Sequence, residues 1–170
     1  MPINELLIRE FQREMDATKK TLQRVPKDKW DWKPHEKSGS LGWMAGHVAS
    51  LPGFIIRVSS APEIDVASPD TRPRKVEKDE DLVELHGKLG TQACEALAKL
   101  SDDQFTQPWS LKHGDKVLMT MPRYDALRGM CFNHIIHHRG QLTMYLRAIN
   151  VPVPALYGSS ADENPFYPGS

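Results

Sequence analysis

The chain has 170 residues, 39% hydrophobic and 26% charged, with 22 basic and 22 acidic side chains. That is the length of one domain with enough apolar material for a core, and a zero balance that gives no basic face for a nucleic-acid partner. Two cysteines, Cys94 and Cys131, are too few for a disulfide scaffold and lack metal-type spacing, and no apolar run approaches the ~20 residues that span a bilayer. The N-terminus lacks the basic and apolar regions of a signal peptide, so a cytoplasmic protein with no membrane partner is expected.

The first predicted helix covers about residues 3–25. Ile3, Leu7, Phe11, Met15, Leu22 and Val25, with Thr18 filling one step, fall on one face, and Pro26 ends it. A second begins at Ser40, a natural N-cap, and carries Leu41, Met44, Val48, Leu51 and Ile55, with a kink expected at Pro52. Residues 61–76 hold Pro62, Pro69 and Pro73 and read as a long connection.

The third helix covers about residues 79–100 on the stripe Leu82, Leu85, Leu89, Ala93, Ala96 and Leu100. Residues 102–122 form a second connection, whose Val117–Thr120 run is too short to found a sheet. The last helix covers about residues 123–149, with Leu127, Cys131, His134, His138, Leu142 and Tyr145 on one face. After Asn150, Pro152, Pro154, Pro165 and Pro168 predict an irregular tail laid over the surface. The expectation is one all-α domain over residues 1–170, a helical bundle whose long connections demand a crossover.

Chemistry concentrates in His134-Ile135-Ile136-His137-His138-Arg139. Imidazoles four residues apart on a helix stack one above the other and can converge on one ion. His137 lies about 100° further round and points to the rim. An isolated pair is more often solvated than ligating, but this pair sits on the inward stripe, which makes it a candidate for metal binding. Two imidazoles want a third ligand. His47 shares an inward face with Met44, Leu51 and Phe54; His86 looks solvated; His35 and His113 lie in connections. Cys131 reads as a small buried hydrophobe, Trp43 and Phe54 as core, and Arg139 as a surface or inter-helix ion-pair residue.

Three segments carry a resemblance: Leu41–Ala49 followed by Leu51-Pro52, His134–Leu142, and Val153–Gly158. On them the chain resembles the DinB/YfiT-like family of metal-dependent enzymes. The resemblance implies a four-helix bundle in up-down-down-up order. It also implies a metal triad of His47, His134 and His138, holding zinc or nickel. Characterised relatives of that kind include thiol-dependent transferases and isomerases, which activate a low-molecular-weight thiol. The expected function is therefore a metal-dependent thiol transferase or hydrolase acting on a small molecule. The alternative is a non-catalytic, stress-related metal-binding bundle or a plain interaction module, and a homodimer is compatible with either. Glu10, Glu14 and Asp16 are conceivable acceptors for a ligating histidine's second N–H. The tail is expected to wall a pocket beside the metal.

Overall fold

The structure, a computed structural model, describes residues 1–71 and 74–166; Pro73 and Pro168 lie outside the described residues. Helix α1 (Ile3–Leu22) buries Leu7, Phe11, Thr18 and Leu22 from the expected stripe, and also Glu14, which that stripe omits. It ends three residues before the sequence expectation. Ser40 caps α2 (Leu41–Ser50), its hydroxyl accepting from the Trp43 N–H at 3.1 Å. Pro52 does more than kink the second helix. It occupies the first turn of a separate α3 (Pro52–Ser60), where its missing N–H costs nothing. Asp81 caps α4 (Leu82–Ala98) by accepting from the Val83 and Glu84 N–H groups.

The expectation of an all-α chain is corrected by a three-stranded sheet. Strand β1 (Glu63–Asp65) lies parallel to β2 (Pro108–His113), which pairs antiparallel with β3 (Lys116–Pro122). A short α5 (Asp102–Thr106) precedes β2. The hairpin turns at Gly114, whose φ of 59° is a left-handed conformation that glycine adopts without strain. Val117, Leu118 and Met119 stay exposed, so the hairpin is not held by its own apolar face. Trp109 and Ile64, both buried, plug it into the helical core instead.

The last helix is not regular. It opens as α6 (Arg123–Ala126), widens into a π-helical segment, Leu127–Phe132, and resumes as α7 (Asn133–Ala148). Two apolar clusters fill the interior. One joins α1, α3, α4, the π segment and Trp109; the other joins α2 and the C-terminal half of α7 through Met44, Ala45, Val48, Leu142 and Leu146. The second cluster sets α2 against α7. No helix among the described residues is long and apolar enough to cross a membrane.

Candidate metal centre

Packing of α2 on α7 brings three imidazoles together. His47 comes from the last turn of α2, and His134 and His138 from successive turns of α7. Their rings stand 4.6–5.2 Å apart, centroid to centroid, and one ligand nitrogen from each lies within 4.8 Å of the others. No other such group of three exists among the described residues.

The hydrogen bonds decide which nitrogens face inward. His134 Nδ1 bonds the Met130 carbonyl at 3.2 Å, and His138 Nδ1 bonds Gln141 Oε1 at 2.7 Å. Both acceptors are oxygens, so each Nδ1 carries the proton and each Nε2 keeps its lone pair. Met130 belongs to the π segment, where the Asn133 N–H reaches back five residues to Arg128 O. Such widened turns recur at functional sites. His47 Nε2 stands 3.4 Å from His134 Nε2. Two ligands ~2.05 Å from one ion at the tetrahedral angle stand ~3.3 Å apart, so the pair fits a shared ion.

All three rings are half-buried. Burial pulls the His47 pKa down to about 4, helped by the neighbouring His138 and His134 rings. Burial also lowers those of His134 and His138. Near neutral pH the cluster is thus three uncharged imidazoles, the form that binds a metal. The indole of Trp43 lies nearly parallel to His47, 11° between planes and 5.2 Å between centroids.

Several sequence expectations change. Trp43 is not core: it is 56% exposed and stacks on a candidate ligand. His86 is not solvated. It is 1% exposed, and neither ring nitrogen has a hydrogen-bond partner of normal geometry. The acceptors of the ligand N–H groups are Met130 O and Gln141, not Glu10, Glu14 or Asp16; Glu10 pairs with Arg128 instead. His137 is exposed beside His138 and outside the cluster, as its position on the helix predicts. His35 is exposed in its connection, whereas His113, also exposed, ends strand β2 rather than lying in a connection. Cys131 packs in the first apolar cluster, where burial pushes its thiol pKa up. Gln141 was discoverable: it lies three residues after His138, on the same face of the helix.

Arg139, one residue past His138, turns the other way. It is 1% exposed and pairs with Glu14 of α1 at 2.7 Å, while donating to Glu14 O and Thr18 Oγ1. Tyr157 of the tail closes the group, donating to Glu14 and accepting from Arg139. The tail is irregular, as expected. Asp162 and Glu163 clamp it against Arg147 and Arg24.

A cleft of about 660 Å³ opens beside His47, lined by Gly42, Trp43, Gly46 and Ser50 of α2, by Trp30 and Asp31, and by residues 74–78. Among the described residues none from the tail lines it, which corrects the expectation that the tail walls it.

A model of the DinB family matches residues 1–165. The chain belongs to the DinB family. Two solved structures share its fold. A DinB-like protein of Bacillus cereus ATCC 10987 is 22% identical with a TM-score of 0.70, over 92% of this chain and 98% of that one. A DinB-like protein of Bacillus subtilis, YjoA, is 21% identical with a TM-score of 0.68, over 88% of this chain and 96% of that one. No protein of curated function matches the chain. In this fold the cluster of His47, His134 and His138 could hold a metal ion.

Proposed function

We propose that this DinB-family chain is a metal-dependent enzyme in which His47, His134 and His138 hold one zinc or nickel ion, and that it transfers a thiol to, or hydrolyses, a small molecule. The observation that carries the proposal is the alignment of lone pairs. His134 and His138 spend their N–H groups on Met130 O and Gln141, so that the opposite nitrogens converge with His47. The up-down-down-up helix order belongs to the same proposal, and the packing of α2 against both α4 and α7 supports it.

When bound, the ion supplies Lewis acidity that lowers the pKa of a thiol or a water and polarises a carbonyl. The chain's own part is to present three neutral nitrogens, leave the remaining positions open, and offer the cleft at His47 to a substrate. In thiol transfer the S–H proton goes to solvent, sulfur bonds an electrophilic carbon, and the leaving group departs with its electron pair. In hydrolysis water plays the part of the thiol.

Protein purified without a histidine tag or added metal is expected to carry close to one zinc or nickel per chain by elemental analysis. His134→Ala/His138→Ala should lose it; unchanged metal content would remove the site. Incubation of the metallated protein with electrophiles and a panel of cellular thiols or esters separates the two reactions. Activity lost in His47→Ala supports the enzyme, and no turnover across the panel identifies a non-catalytic metal protein.

A further inference from the structure

We infer that the cleft beside His47 selects anions: small molecules with a metal-binding head, an apolar middle and an acidic tail. The inference rests on the proposed metal site and names the substrate class for it. The volume, about 660 Å³, suits a small-molecule ligand.

The cleft is built by removing side chains from α2. A Cβ on Gly42 would lie 2.2 Å from the Trp30 ring, and one on Gly46 would lie 2.8 Å from Val76 Cβ. With glycine at both positions, the indole and the 74–78 segment come down onto bare helix, and the buried Val76 anchors the segment there. Trp30 and Val76 supply the apolar middle.

The charge comes from the same segment. Arg74, Lys75 and Lys78 line the cleft together with Glu77, and Asp31 lies on the wall carrying Trp30. With the Arg74 partner Glu80 counted, three cations face three acids, so the positive character of the cleft comes from Lys78, which is left unpaired, and from the ion the three imidazoles would hold. The cations are also available. Arg74 is paired with Glu80, and Lys75, 83% exposed, with Glu77. Surface pairs of this kind hold weakly, and a ligand carboxylate can replace them. Lys78 has no carboxylate partner among the described residues. A divalent ion on three neutral imidazoles would add two more positive charges. A neutral ligand would leave the ion's charge and Lys78 unanswered, and a cation would be repelled.

The test uses cobalt-loaded protein and two series of probes of graded length, ω-mercaptocarboxylates and ω-mercaptoalcohols, with the cobalt–thiolate absorption as the signal. At the matching length the acid should bind about ten-fold tighter than the alcohol, and added salt should shrink the difference. Lys75→Gln/Lys78→Gln, both on the exposed rim, should lose the acid's advantage and keep the alcohol's affinity. Equal affinity of acids and alcohols at every length would overturn the anion inference and leave the metal site standing. An absorption change with neither series would overturn the metal–thiol site itself.

Discussion

His138 and Arg139 are neighbours in sequence, yet they serve opposite regions of the molecule. Arg139 faces α1 and enters a closed group in which guanidinium, carboxylate, hydroxyl and phenol answer one another. His138 faces α2 and enters a group in which the Nε2 lone pairs of His134 and His138 converge with the ring of His47. The first group is complete within the chain. The second is complete only with something added. Two polar clusters, one residue apart on α7, thus divide the work: one holds the helix in place and the other leaves a valency open.

The sharpest way to break the first cluster is Arg139→Met. It strands Glu14 beside α7 and removes the buried cation, a change worth about 3–5 kcal/mol. Urea unfolding should show a loss in that range, even in metal-free protein. Glu14→Leu/Arg139→Leu removes both charges and should recover most of it. A single mutant as stable as wild type would mean the pair contributes nothing to the fold.

His86 sharpens the same side of the comparison, since it lies buried in α4 close to Arg139. Burial lowers its pKa from 6.5 to about 4, against a smaller opposing pull from the backbone of Ala49 and Met15, while the nearby Arg139 lowers it further. The folded form therefore binds fewer protons than the unfolded chain between those values. Its stability contribution is present above pH 6.5 and lost as pH falls toward 4. His47 acts in the same direction but is partly exposed, so its share is smaller. Metal-free protein should weaken steeply across this window, and His86→Leu should flatten the profile by up to ~3 kcal/mol. Parallel profiles for variant and wild type would show that His86 does not titrate with unfolding.

These positions mark where sequence reasoning succeeds and where it stops. His134 and His138 were legible because a spacing of four on an apolar stripe fixes both proximity and direction. The third ligand, His47, lies 87 residues from His134. Its inward face set it above the other histidines, and the likeness of Leu41–Ala49 to the family then joined it to the pair. The sheet was missed because its strands show little apolar alternation, and what holds them is Trp109 and Ile64 docking into a core built elsewhere. Glu14 and His86 misled for a related reason. Each is polar, and its burial depends on a partner or a neighbour that no local pattern reveals.

On the open side of the comparison, Gln141 is the next test. It fixes the tautomer of His138 through a 2.7 Å bond and is itself exposed, so removing it should leave folding alone. Loss of such a supporting acceptor typically weakens a metal site 10–100-fold. Gln141→Leu should show that in metal titration with no change in metal-free stability, and Gln141→Glu should retain tight binding. Equal affinities for leucine and glutamine would show that the bond does not orient the ligand.

The smallest expected effect belongs to Trp43. His134 and His138 are oriented by hydrogen bonds; no such partner exists for His47 Nδ1 among the described residues, and its ring is held by the parallel indole instead. Trp43 is held in turn from below, since a Cβ on Gly39 would lie 2.5 Å from its ring. A stack of this kind is worth about 0.5–1.5 kcal/mol, or roughly two- to ten-fold in binding. Trp43→Leu should weaken metal affinity by that factor, and Trp43→Phe should restore part of it, while unfolding of the metal-free protein stays nearly unchanged. Because the indole touches a candidate ligand, nickel should also quench its fluorescence in wild type, and His47→Ala should abolish the quench. Full affinity in Trp43→Leu would leave the helix backbone alone to orient His47, and the two sides of α7 would then differ less than their hydrogen bonds imply.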